Sequence, residues 1–271
     1  MELVVKTDLL SVGEAPILLR SKNYNQLLLD LSSVSFVKSL ELTQWKCLIE
    51  LALEYDMKVN ITPPHEESAY HYAGRMGLFE KTNYVYPFKE KQPQTFFPLL
   101  RIESDRNENL YEECLRVFSM SNVSTNYIRR LADTFTELAD NVYFHSGQSP
   151  NSGWGYVHAQ VYQKNICIGV SDVGVGFYGS YKQNNQIRGR TEKQILLDAF
   201  KVGESSLNPF PKPGYRGVGL SEVFEFIERF SGIMTVSSGK AMVMATQKGL
   251  KDEGLLYNVY GAWIQLEVPI L

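Results

Sequence analysis

Between residues 128 and 142, apolar side chains fall at alternating steps of three and four: Ile128, Leu131, Phe135, Leu138 and Val142. That is the period of an α-helix, so one stripe of this segment must be buried against an apolar surface. The residues that follow supply one. Runs at 156–162, 166–172, 233–237 and 262–268 have strand length and strand patterning, with a helical pattern at 221–230 between them. Helices followed by mostly antiparallel strands predict an α+β layer sandwich over residues 106–271, with a mixed, mostly antiparallel sheet and helices on one face.

The front of the chain reads differently. Residues 26–31 form a short buried strand pattern, 40–55 a helix without proline or glycine, and 57–61 a second strand stopped by Pro63 and Pro64. Strand, helix, strand predicts a parallel pair with a crossover helix. A further helix is predicted over 70–78, with Gly77 near its end. Residues 1–85 therefore form a small α/β domain. Residues 86–105 make a connector, polar at Lys89, Lys91, Gln92, Pro93 and Gln94. Its apolar half, from Phe96 to Leu100, suits a strand or a lid.

Composition narrows the function. The 271-residue chain carries a net charge of −3, which gives no general attraction to nucleic acid. Cys47, Cys114 and Cys167 form no CxxC pair or His/Cys cluster, so neither a structural zinc site nor a disulfide framework is expected. The charged residues Glu2, Lys6 and Asp8 interrupt any leader-like stretch, and no apolar run approaches the roughly 20 residues that span a bilayer. The expectation is a cytoplasmic protein with no membrane partner.

Three elements carry chemistry. Glu137, Asn141 and His145 are spaced by four, along one side of the predicted helix at the rim of its apolar stripe. A solvated helix edge has the same look. Asp172-Val173-Gly174-Val175-Gly176 follows a strand in which Ile166, Ile168, Val170 and Asp172 share a face. An aspartate on a buried face needs a partner, although an ordinary turn could also end this strand. Finally, Gly214-Tyr215-Arg216-Gly217-Val218-Gly219-Leu220 runs into the helix at Ser221. Glycines before a helix leave its first N–H groups open to an anion, and are also common in flexible linkers.

An acid/amide helix, a strand ending in DxGxG and a GxGL turn, in this order over about 85 residues, resemble the GHKL superfamily of ATPases, across residues 120–270. The look is nearest to the anti-sigma-factor serine kinases, whose first motif also has a histidine four residues after the asparagine, as His145 follows Asn141. The resemblance implies a Bergerat-type ATP site with magnesium. Asn141 would coordinate the magnesium. Glu137 would be the general base, toward water or a substrate hydroxyl. Asp172 would accept the adenine amino group, and Gly174 and Gly176 would let adenine and ribose lie against the backbone. Gly217, Val218, Gly219 and Leu220 would hold phosphates through the backbone, with His145 in the same nucleotide-binding set and Arg216 and Lys212 nearby. Residues 177–216 would form a mobile ATP lid with a short helix at 192–200. Where the family often has a Gly-Thr pair, this chain has Gly261-Ala262-Trp263, leaving Thr246 as a substitute hydroxyl. No phosphoacceptor-histidine helix accompanies these motifs.

In front, Leu29-Asp30-Leu31-Ser32-Ser33-Val34-Ser35-Phe36-Val37-Lys38-Ser39-Leu40 and Ala73-Gly74-Arg75-Met76-Gly77-Leu78-Phe79-Glu80 resemble STAS domains, over residues 15–85. Ser39 aligns with their phosphoacceptor. Lys38 stands where they have aspartate and Leu40 where they have a small residue, which argues against phosphorylation here. Together the resemblances imply an ATP- and ADP-binding signalling protein of the partner-switch kind, either a serine-kinase-like or slow ATPase or an ATP-gated interaction switch. The partner would be another protein, and a homodimer stays open.

Overall fold

The computed structural model describes residues 1–87, 96–103, 109–121, 123–147, 153–204, 206, 219–255 and 257–270. In chain order its elements are β1 (Glu2–Val5), α1 (Leu9–Arg20), β2 (Gln26–Asp30), α2 (Ser39–Glu54), β3 (Lys58–Thr62) and α3 (Glu67–Arg75). Then come β4 (Phe96–Ile102), α4 (Leu110–Phe118), α5 (Thr125–His145), β5 (Gly155–Val161), β6 (Asn165–Asp172), α6 (Gly176–Gln183) and α7 (Glu192–Asp198). The chain ends with α8 (Gly219–Phe230), β7 (Ile233–Gly239), β8 (Ala241–Thr246), β9 (Gly249–Asp252) and β10 (Val259–Pro269).

The strands make two sheets. A small parallel sheet has the order β1-β2-β3, and a large one the order β4-β5-β6-β10-β7-β8-β9. The protein is α+β. The expected parallel pair with a crossover helix is β2-α2-β3. Among the described residues every neighbouring pair of the large sheet is antiparallel, so the expectation of a mixed sheet is corrected. The apolar half of the expected connector is β4, an edge strand of this sheet paired with β5. Its residues Phe97 and Ile102 bury against the helices, which a solvated linker could not do.

One face of the large sheet carries α4, α5 and α8. The predicted stripe on α5 is buried throughout, and it meets Val157, Ile168, Val170, Val236 and Ile264 of the sheet in one apolar core. Ser124 caps α5, its hydroxyl accepting from the Tyr127 amide at 3.3 Å. The helices of residues 106–271 share this face, as expected. The opposite face is covered too, by α1 and α2 from the front of the chain. There Tyr156, Val259 and Trp263 of the large sheet, with Val173 just past the end of β6, share a second core with Leu27, Leu29, Trp45 and Leu48.

Helix α2 therefore lies between two sheets, and twelve of its sixteen residues are buried. That explains its weakly amphipathic sequence, because a helix covered all round shows no polar face. Its first turn lies directly on Gly169 of β6, where a Cβ would overlap the Ser39 and Leu40 backbone. A glycine inside a strand often marks such a close backbone approach. The two sequence-level domains are thus fastened together through a common core.

Candidate functional site

Strand β6 delivers Asp172 to the end of the large sheet, on the face covered by α5. The side chain is buried, at 4% exposure. Its Oδ1 accepts from the Gly174 amide at 2.8 Å and its Oδ2 from the Ala262 amide at 3.2 Å. Burial nevertheless pushes its pKa up to about 7, against these two N–H groups and the charge of Arg20. Each carboxylate oxygen keeps lone-pair capacity for a further donor.

The turn after Asp172 is fixed by its glycines in different ways. A Cβ on Gly174 would overlap the Ser146 carbonyl, because the end of α5 crosses here and Ser146 O accepts from the Val175 amide at 3.1 Å. Gly176 has φ +66°, which a non-glycine residue rarely adopts, and it starts α6. The Phe177 amide donates to Ser238 Oγ at 3.1 Å, and Ser238 Oγ donates to Gly261 O at 2.7 Å. Ser238 is thus the hydroxyl beside this turn. Thr246 lies on β8, two strands from β10, and its Oγ1 bonds Gly249 O at 3.4 Å. It does not reach the site.

A cavity of about 60 Å³ opens above Asp172. Of the residues singled out in the sequence, Asn141, His145, Asp172, Gly176, Gly219 and Leu220 line it. They come from α5, the β6–α6 turn and the start of α8, three segments far apart in the chain. Gly174 faces a different cleft, beside Arg20 and Tyr178. Glu137 lies two turns before His145 on α5 and lines an adjoining groove between α5 and α8. Arg216, Gly217, Val218 and Lys212 lie outside the described residues.

Further walls come from the stretch expected to be the lid: Phe177, Ser180 and Tyr181 of α6, then Ala199, Glu204 and Ser206. In that stretch the short helix expected at 192–200 is α7, and α6 is a further helix that was not expected. The apolar pair Phe177 and Tyr181, four apart, was the available signal. Arg190 ties the segment down through Asp198 at 2.9 Å and Glu204 at 3.2 Å.

The polar groups differ in charge. His145 Nδ1 is 3.0 Å from Ser206 Oγ and 3.4 Å from Ser180 Oγ, and those hydroxyls are 2.7 Å apart. Burial pulls the imidazole pKa down to about 4, so it is neutral at physiological pH. Burial first, then Asp140 and Glu222, push the Glu137 pKa up to about 7, against an N–H bond from Gly219. That value suits a general base working near neutrality.

Asn141 Nδ2 is buried and has no hydrogen-bond partner among the described residues. A side chain held this way costs free energy unless something binds it. Its amide oxygen is a hard donor of the kind magnesium accepts. Among the described residues no group of three His, Cys, Asp or Glu is placed to hold a metal alone. A divalent cation beside Asn141 would therefore bring most of its own oxygens, from phosphate and water.

Compared with known proteins, the chain matches no protein family and no curated relative. Among the described residues no helix is long and apolar enough to cross a membrane.

Proposed function

We propose that this protein binds ATP with magnesium in a Bergerat-type pocket of the GHKL kind and acts as a regulatory protein, with serine-kinase-like or slow ATPase chemistry. The observation that carries the reading is the convergence of three separate sequence elements on one cavity, with buried Asp172 at its end. In this reading Asp172 accepts the adenine amino group while the Gly174 and Ala262 amides hold the carboxylate in place. The Gly219 N–H is taken by Glu137, and the start of α8 at Leu220 would offer the next N–H to phosphate. Asn141 would hold magnesium, which supplies charge neutralisation on the phosphates when bound. Glu137 takes the proton of the attacking hydroxyl, from water or serine, as the new O–P bond forms and the bond to the ADP oxygen breaks. Positioning and charge stabilisation do most of the work in such transfers.

Glu137→Gln tests the chemistry. Turnover of ATP is expected to fall by about 100-fold or more, the usual contribution of a general base. ATP affinity by calorimetry should stay within about threefold of wild type, since an amide keeps the shape and removes only the base. Equal turnover in the variant would remove Glu137 from the mechanism.

Two observations favour the second reading, an ATP-gated interaction switch with little turnover. The cavity is well below the roughly 300 Å³ at which small-molecule sites begin, so in this reading its walls open as a nucleotide binds. Occupancy and shape are then coupled. Ser39, aligned with the STAS phosphoacceptor, is 2% exposed, and its Oγ bonds Cys167 O at 3.3 Å, so it is closed to a phosphoryl donor. ATP bound without turnover, in wild type as in Glu137→Gln, would select this reading.

A further inference from the structure

The strand that carries Asp172 is gripped from behind. Along β6, Ile166, Ile168, Val170 and Asp172 face α5, while Cys167, Gly169 and Ser171 face α2. On α2, Ser39, Thr43 and Cys47 are spaced by four and form one stripe against the strand. Ser39 Oγ donates to Cys167 O at 3.3 Å. Thr43 Oγ1 and Ser171 Oγ are 2.8 Å apart in a buried bond. Cys47 Sγ donates to Ser171 O at 3.2 Å. Gly169 removes the side chain that would hold the helix off. One residue beyond Asp172, the Arg20 guanidinium at the end of α1 donates to Val173 O.

Every one of these contacts falls on residues 167–173, and none touches the cavity. A two-sheet core could be closed by apolar contact alone. Here side-chain hydrogen bonds from the front of the chain fix the height and tilt of the strand end on both sides of Asp172. A carboxylate held by two amides moves with that backbone, because the Gly174 amide belongs to the same turn and the Ala262 amide to the paired strand β10.

We propose that the Ser39–Thr43–Cys47 stripe and Arg20 are positioning residues for Asp172, and that the seam between α2 and β6 and nucleotide occupancy are reciprocally linked. The front unit is then a built-in regulator acting from behind the sheet, and whatever loosens the seam weakens the pocket. This rests on the nucleotide reading above. Linkage requires the effect to run both ways: a nucleotide that prefers the ordered turn must tighten the seam by the same factor.

The test uses the full chain and magnesium–ATP. Thr43→Val keeps the shape and removes the bond to Ser171. Gly169→Ala pushes α2 away, and Thr43→Ser is the conservative rescue. Val117→Ala, buried in α4 away from the seam, controls for lost stability. In folded Thr43→Val, ATP affinity should fall about fivefold or more, the lower end of ordinary site-to-site coupling. Thr43→Ser should restore it and Val117→Ala should leave it unchanged. Conversely, ATP should slow amide exchange across α2 in wild type. Wild-type affinity in Thr43→Val, with exchange in α2 indifferent to ATP, overturns the proposal and leaves the pocket standing. A loss as large in Val117→Ala overturns it as well, by reducing the effect to stability. Failure of wild type to bind ATP removes both the proposal and the nucleotide reading.

Discussion

Replacing Glu50 by alanine should lower the unfolding free energy by about 3–5 kcal/mol, the usual cost of breaking a buried ion pair from one side. Glu50 is 4% exposed, between the two sheets. Lys46 Nζ lies 3.5 Å from its Oε1, while Lys81 Nζ at 3.2 Å and Arg101 Nη1 at 3.1 Å reach its Oε2. Arg101 also binds Glu54 at 3.0 Å and Glu103 at 2.9 Å, and its guanidinium lies over the Trp154 ring at 4.5 Å. Without Glu50, Lys46 stays buried with the Glu80 carbonyl, at 2.9 Å, as its one hydrogen-bond partner among the described residues. Burial already pulls the Lys46 pKa down, and Glu50 offsets that. The double change Lys46→Met with Glu50→Leu should recover most of the loss, since apolar residues of similar volume often replace buried pairs at no cost. Urea midpoints at constant m-value measure both. Burial opposes the Glu50 charge, but Lys46 and Lys81 outweigh it and hold its pKa below 4.5. Its share of stability is therefore full above about pH 4.5 and is lost as the pH falls through the depressed value.

Asp172→Asn carries the largest expected effect on ATP affinity. A buried hydrogen bond to a charged group is worth about 1.5–3 kcal/mol, so ATP affinity should drop by roughly 10- to 150-fold. The sign of the pH dependence is opposite to that of Glu50. The folded-state pKa of Asp172 is raised to about 7 from 3.8, chiefly by burial, so the folded protein holds this proton more tightly. The stability it contributes is full below about pH 4 and is lost as the pH rises toward 7. Glu137, raised from 4.5 to about 7, acts in the same direction. Wild type without nucleotide should thus lose stability between pH 5 and pH 8, and Asp172→Asn should lose less. The gap between their urea midpoints should narrow across that range. Parallel curves would place the Asp172 titration elsewhere.

The parts of the fold legible in the sequence were those with local periodicity. The stripe from Ile128 to Val142 and the alternation from Ile166 to Asp172 each describe a surface with one buried face, and such surfaces mark their own period. Helix α2 was legible as a helix but not as a layer between two sheets, because burial on all sides erases the signal that tells where a helix packs. Strands β1, β8 and β9 and helix α1, with Pro16 inside it, were not identified. Strand β1 pairs with β2 across α1, and β8 and β9 extend β7 through tight hairpins, whereas β10, last in the chain, inserts between β6 and β7. At the site, Asn141, His145, Asp172, Gly176, Gly219 and Leu220 could be named because short motifs mark them. The grip of Thr43 and Arg20 could not, because it depends on contacts across 128 and 153 residues, and the α6 wall could not, because it too is made by tertiary contacts, to His145, Ser206 and Ser238. Gly174 shows the limit of motif reading, since what requires it is the crossing of α5 at Ser146.

The central claim is a magnesium–ATP pocket built on Asp172 and Asn141, and titration calorimetry of the wild-type chain with ATP, with and without magnesium, tests it most directly. The account predicts saturable binding at one site per chain, tighter with magnesium. Absence of binding by a well-folded chain, or binding indifferent to magnesium, would contradict it.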